Sequence, residues 1–316
     1  MSPLRSARSA AGTIAHRALT AYAERQPGHG AEGTVTVHSQ GGLGNQLFIY
    51  AAGLSAARAA GAELRVDVGL HRERDDRPWL LDSLGLPAEV VDLGYAEHPG
   101  AGLLEKFRAA PRACSYREPA FSFDQQALAQ PAGSCLFGYF QSWRYVEPVS
   151  EQMHAHFRRL AEHRAERLAA VDIDPGAVVV HVRRGDYLAA AGYHGLAGAQ
   201  YYREAVGLLR RCGFSGPLLL LSDDLPLALE ELSDLGELVP LAQPGMDAVD
   251  ELLLMRAAPA LVTANSSFSW WGGWSGQRPG RPVVSPRPWF DEPTVSDRDL
   301  LPPSWLTLDR RTFSGR

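Results

Sequence analysis

Short apolar runs separated by longer helical patterns recur along this chain. Residues 177–180 (AVVV), 217–221 (PLLLL) and 260–264 (ALVTA) are aliphatic or small at nearly every position. That is the pattern of strands covered on both faces. Residues 34–39 alternate weakly around Val35 and Val37, and 63–68, 134–143 and 283–289 complete the predicted strands. Helical patterns fill 47–60, 148–170 and 200–212, and another helix starts at Asp247 and runs to 255. Strands alternating with helices at this spacing predict an α/β fold of parallel, doubly wound sheets. Two regions break the rhythm. Residues 71–134 are rich in proline, glycine and charge and yield only short helices around 79–84 and 102–108, and the proline- and arginine-rich stretch after 289 reads as irregular.

A chain of 316 residues exceeds one ordinary core, so two domains facing a cleft are expected. The boundaries fall as a basic, flexible segment 1–33, an N-terminal α/β domain 34–160, a C-terminal α/β domain 161–300 and a tail 301–316. With 45% apolar and 21% charged residues the composition is that of a globular protein, and the net charge of -5 argues against a duplex nucleic-acid binder. The three cysteines, Cys114, Cys135 and Cys212, are widely spaced and show neither a disulfide framework nor a thiolate zinc site, which suits a reducing cytoplasm. No run reaches the ~18 apolar residues that span a bilayer. Arg5, Arg8, Arg17 and Arg25 stand against Glu24 in the first 30 residues, a pattern of either a frayed basic tail or a weak peripheral contact with an anionic membrane.

The chemistry gathers where the predicted strands end. The strand at 177–180 runs into His181, Arg183, Arg184 and Asp186, and guanidinium forks at the carboxyl end of a parallel strand suit phosphate oxygens. A structural ion pair between Arg184 and Asp186 reads the same residues without a ligand. The first strand runs into GGLGNQ at 41–46, where Gly44 and its neighbours allow close approach of backbone to a ligand and a helix N-terminus follows. The strand at 260–264 runs into NSSFSWWGGW, whose serines and amides hold phosphate oxygens or simply cap a helix. Ser222, Asp223 and Asp224 read as helix caps. Asp172 and Asp174 form a DxD, but the Pro175–Gly176 pair after it places it in a turn at the amino end of the sheet, away from ligands. His154 and His156 lie on different faces of a helix and make no metal pair.

Taken together, GGLGNQLFIYAAG at 41–53, GYFQSWRY at 138–145, HVRRGDY at 181–187, SDD at 222–224 and NSSFSWWGGW at 265–274 resemble the α-1,2-fucosyltransferase family over residues 35–290. The resemblance implies a GT-B-like arrangement of two Rossmann-type domains. It implies inverting transfer of fucose from GDP-β-L-fucose to the 2-hydroxyl of a terminal galactoside, with no metal and no other cofactor. By the same resemblance Arg183 grips the β-phosphate, His181 lies near the nucleoside, Arg184 supports the loop and Asp186 orients the arginines. Gly44 and Asn45 approach the diphosphate from the other domain, Ser267, Phe268 and Ser269 touch phosphates and guanosine, and Asp250 or Glu251 reads guanine. Gln141 and Trp143 fall on the acceptor side. The general base stays open, with Asp186, a residue of the other domain, or none. A fucosyltransferase of another linkage or acceptor, or a silent GDP-sugar-binding module, would share most of these motifs.

Overall fold

The computed structural model describes residues 31–71, 78–93, 115–185 and 195–311. The expected helix at 102–108, the basic segment 1–30, Cys114 and Asp186 lie outside the described residues. Two sheets carry the architecture. The first holds β1 (Thr34–His38), β2 (Glu63–Asp67), β3 (Glu89–Val91), β4 (Tyr116–Arg117) and β5 (Cys135–Phe137) in the order β3-β2-β1-β5-β4. The second holds β6 (Val178–Val182), β7 (Leu218–Ser222), β8 (Leu238–Pro240), β9 (Ala260–Val262), β10 (Val283–Arg287) and β11 (Leu306–Asp309) in the order β11-β10-β9-β6-β7-β8. Every pairing is parallel. The all-buried strands β1 and β6 sit mid-sheet, as the apolar run leading into β6 predicts; β1 is buried on both faces although it alternates threonine with valine.

Helices join the strands: α1 (Leu43–Ala60), α2 (Gln125–Leu128), α3 (Trp143–Val146), α4 (Ser150–His163), α5 (Ala165–Leu168), α6 (Ala199–Arg211), α7 (Leu225–Glu231), α8 (Ala248–Ala257) and α9 (Ser267–Ser275). Helix α1 starts before the expected residue 47, because Gly41 turns the chain at φ 74° and Gly42 supplies the extended cap. Gly44, Asn45 and Gln46 are therefore in its first turn. The strand expected over 134–143 stops at Phe137; Phe140 takes φ 52° and Ser142 caps α3 by accepting from the Arg144 N–H. The helix expected over 148–170 breaks at Arg164 into α4 and α5. The stretch after 289 is not irregular throughout, since β11 pairs along β10. Its residues are mostly exposed at a sheet edge, so they carry no apolar run to read.

The two sheets meet through α1 and α9. Phe48 of α1 packs on Trp270 and Trp271 of α9 at ring separations of 4.4 and 5.3 Å, and Phe157 of α4 reaches Trp271 at 6.0 Å. All four rings are fully buried. Burying large aromatic rings of both halves in one place is worth several kcal/mol of association, at roughly 1.5–3 kcal/mol per large apolar side chain. This packing holds the ends of β1 and β9 together.

Candidate functional site

Three strand ends converge at the junction. Strands β6 and β9 are neighbours, paired from Val178 opposite Ala260 to Val180 opposite Val262. Their carboxyl ends stay together, and the His181 ring lies 5.9 Å from that of Phe268. From the other sheet, Gly44 presses on the start of α9. A Cβ there would overlap Phe268 N and the Ser267 carbonyl carbon and lie 2.7 Å from the Ser267 oxygen, so no side chain fits. The Trp271 indole closes the contact by donating to the Gly44 carbonyl at 3.0 Å. Gly44→Ala should cost about 1–3 kcal/mol of stability through overpacking, visible as a lower melting temperature.

Arg183 leaves β6 half-exposed, and its Nε pairs with Asp223 Oδ2 at 3.1 Å. The other oxygen of Asp223 accepts the Arg184 backbone N–H at 2.8 Å. One carboxylate thus fixes both the backbone and the guanidinium at the strand tip, using a charge-assisted bond. The cap reading of Asp223 is corrected here. Asp224 alone caps α7, accepting from the Leu227 N–H, while Ser222 accepts from the Asp224 N–H. No local signal marks this role: Asp223 directly follows the strand beside β6, an adjacency that only the folded sheet creates.

Arg184 is corrected as a donor contact. It is buried, with its nitrogens engaged by Glu231, the Arg183 carbonyl and the Ala197 carbonyl. It holds the loop, with every nitrogen of its guanidinium bonded to the protein. His181 is buried and kept neutral, since burial and the Arg183 charge push its pKa down to about 3. Its Nδ1 has no hydrogen-bond partner among the described residues.

Across the junction, Asn45 Oδ1 accepts from Gln141 Nε2 at 2.8 Å. That bond turns the Asn45 amide so that Nδ2 lies over Gly41, where a side chain would meet it. Gln46, fully buried, bonds the Gly41 and Pro78 carbonyls and the Leu80 N–H, which anchors the first turn of α1. Both helices that begin here, α1 and α9, lack a side-chain cap, so their first-turn N–H groups face the junction unclaimed by side chains. The Ser269 hydroxyl does not join them: it is buried and donates to the Ser266 and Ala264 carbonyls, a correction to its expected contact with the donor. Ser267 and Phe268 remain partly exposed. Trp143 opens α3 and packs against the core; it is Gln141, two residues earlier, that reaches Asn45.

Of the two acids on α8, Asp250 is engaged. It is fully buried, pairs with Arg164 at 2.8 Å and with Arg167, and completes a capping box with Asp247. Burial opposes its ionisation, yet the two arginines hold its pKa at about 2. Glu251 is half-buried with its pKa raised, by burial first and then by the charges of Asp247, Asp223 and Asp250. Among the described residues no three His, Cys, Asp or Glu side chains are arranged to hold a metal ion. Asp174 Oδ1 accepts the Gly176 N–H in the turn before β6, at the far edge of the sheet. Likewise His154 stacks on Trp274 while His156 bonds the Leu84 carbonyl, so they do not meet.

The sequence model described as Glycosyl transferase family 11 matches residues 124–309, more than half of the chain. The chain belongs to glycosyl transferase family 11. This family 11 chain is 27% identical over 289 residues to an Escherichia coli alpha-1,2-colitosyltransferase, an alignment covering 87% of the chain and 99% of the relative. It is 24% identical over 303 residues to the Escherichia coli O-antigen biosynthesis glycosyltransferase WbnK, covering 85% and 98%. Among solved structures, POFUT1 in complex with GDP-fucose covers 80% of the chain and 98% of its own, at 11% identity and a TM-score of 0.45. The enzyme is a glycosyltransferase with an α/β fold of two parallel sheets, as its sequence leads one to expect. No described helix is long and apolar enough to cross a membrane.

Proposed function

We propose that the enzyme transfers L-fucose from GDP-β-L-fucose to the 2-hydroxyl of a terminal galactoside with inversion. The observation that carries this reading is the meeting of strand ends at one junction: Gly44, beside Asn45, packs on Ser267 and Phe268 at the open start of α9, and Phe268 lies against His181, two residues before Arg183. When the sugar leaves, the β-phosphate gains negative charge. Arg183, held by Asp223, the N–H groups of α9 and the Asn45 Nδ2 are positioned to meet it without reorganising. No metal is required in this scheme. On inversion the acceptor hydroxyl attacks the anomeric carbon from the face opposite the diphosphate and loses its proton to a base; Asp186 is the acid nearest Arg183 in sequence.

Glu251 is proposed to read guanine, whose N1–H and amino group are donors a carboxylate accepts. Asp250 is excluded from that role by its arginines. Glu251→Gln should raise the KM for the donor roughly 10-fold or more with little change in kcat, because a charged hydrogen bond made equally in ground and transition states is lost. Steady-state kinetics check this, and a fall in kcat at constant KM would reject the assignment.

A second donor reading has a specific basis in the colitosyltransferase relative. Colitose is L-fucose without its 3-hydroxyl, so one pocket rim decides between the two sugars. The test is incubation with GDP-fucose and lactose, with and without EDTA, and in parallel with GDP-colitose. GDP release and a 2-linked fucosyl trisaccharide, unchanged by EDTA, are expected. Transfer from GDP-colitose alone would move the donor, another linkage would move the acceptor, and binding without GDP release would indicate a silent module.

A further inference from the structure

Glu118 follows β4 at the carboxyl edge of the first sheet, in the region where the sequence pattern is weakest. Its Oε2 accepts two successive backbone N–H bonds, from Tyr139 at 2.7 Å and from Phe140 at 3.0 Å. Phe140 is the one non-glycine with positive φ among the described residues, at 52°, a backbone state that persists only where its surroundings enforce it. Gly138 lies flat against the same carboxylate, where a Cβ would stand 2.6 Å from Oε2. The residue after this turn is Gln141, whose amide sets the Asn45 side chain.

We propose that Glu118 is a positioning residue for sugar transfer: its carboxylate holds the Tyr139–Phe140 turn so that Gln141 meets Asn45 and the donor end of the Asn45 amide faces the leaving diphosphate. The proposal rests on the GDP-sugar reading given above. A purely structural role fits the carboxylate poorly. Its Oε1 is buried without a partner, and Glu118 forms no ion pair among the described residues. Its charge acts on Tyr116 of β4 and Tyr145 of α3, whose hydroxyls bond Asp124, and Arg117 lies over the Phe137 ring of β5 at 4.4 Å. Burial outweighs the two N–H bonds and raises the Glu118 pKa to about 7. A carboxyl raised in the folded state withdraws stability as pH climbs from its ordinary value near 4.5 through 7, so ionised Glu118 costs the fold something. In exchange, the ionised form grips two amides with charge-assisted bonds that the neutral form makes more weakly.

The test uses the full chain and the variants Glu118→Gln and Glu118→Ala. With GDP-fucose and lactose, wild-type kcat should rise with pH through an apparent pKa near 7. In Glu118→Gln that limb should vanish and kcat at pH 8 should fall at least tenfold, with the donor KM within twofold and a melting temperature no lower than wild type. Glu118→Ala should be slower still. A limb that persists in Glu118→Gln, or kcat that falls only together with the melting temperature, would overturn the proposal. An arm independent of turnover separates it from failure of the GDP-fucose reading. In nuclear magnetic resonance titrations, the Tyr139 and Phe140 amide protons and the Gln141 side-chain amide should shift with one midpoint near 7 in wild type and stay flat in Glu118→Gln. A Gln141 amide that ignores this titration would sink the proposal even in an active enzyme.

Discussion

Arg183→Ala is expected to lower kcat by about 10² to 10³, equivalent to roughly 3–4 kcal/mol of transition-state stabilisation. The size follows from what is removed. Arg183 carries a full positive charge just past the end of β6, and Asp223 holds it in place before substrate arrives. A donor already aimed at developing charge acts mainly on kcat. The fold should survive, since Arg183 is half-exposed and its removal leaves Asp223 with the Arg184 N–H still bonded. Single-turnover assays with unchanged melting temperature would bear this out. A variant that keeps more than a tenth of wild-type turnover would remove Arg183 from the mechanism.

The second large effect concerns stability. His38 ends β1 fully buried, with Nδ1 2.7 Å from Asp67 Oδ2 and Nε2 2.9 Å from Cys135 Sγ. Asp67 also accepts the Gly69 and Leu93 N–H groups, each at 3.0 Å. Burial alone would lower the His38 pKa, but the bonds to Asp67 and Cys135 overcome it and raise it to about 9. Burial likewise opposes ionisation of Asp67, whose bonds to His38 and the two N–H groups lower its pKa. A raised histidine contributes stability that is complete below its ordinary value of 6.5 and lost as pH rises through about 9. The depressed carboxylate contributes above its ordinary value of 3.8 and loses that contribution as pH falls below it. Stability should therefore be greatest between about pH 4 and 6.5 as far as this pair governs it. His38→Ala leaves a buried carboxylate without its cation and should cost about 3–5 kcal/mol. Urea denaturation at pH 6 and pH 9.5 checks both statements: the wild type should be weaker at pH 9.5, and the variant should show a smaller difference. Ser39 and the Gly41 turn follow directly, so activity should fall with stability.

Much of this fold can be read from pattern alone. Strands β6, β7 and β9 are short, mostly aliphatic and followed by helices, and a buried parallel strand needs no more than that to be recognised; β1 is marked by Val35 and Val37 and the glycine turn after it. Edge elements are another matter. Strand β11 is mostly exposed, and β3 and β4 are held by backbone pairing with neighbours far away in sequence, so no local alternation marks them. At the site, Arg183, Gly44, Asn45 and the start of α9 were legible because charge or glycine follows directly on a strand. The partners that fix them were not. Asp223 has a sufficient local reason to be a cap, and only the adjacency of β6 and β7 turns it toward Arg183. Asp250 and Glu251 are neighbours that look equivalent along the chain, and only the fold, which brings Arg167 of α5 to Asp250, sets them apart. The His38–Asp67 pair spans 29 residues and exists only once β1 and β2 lie side by side.

The most direct test is the structure of the enzyme with GDP bound. The β-phosphate should lie within hydrogen-bond distance of the Arg183 guanidinium and the first-turn N–H groups of α9, with the Asn45 amide opposite and guanine against Glu251. Phosphates seated away from Arg183, or bridged by a divalent ion, would contradict it.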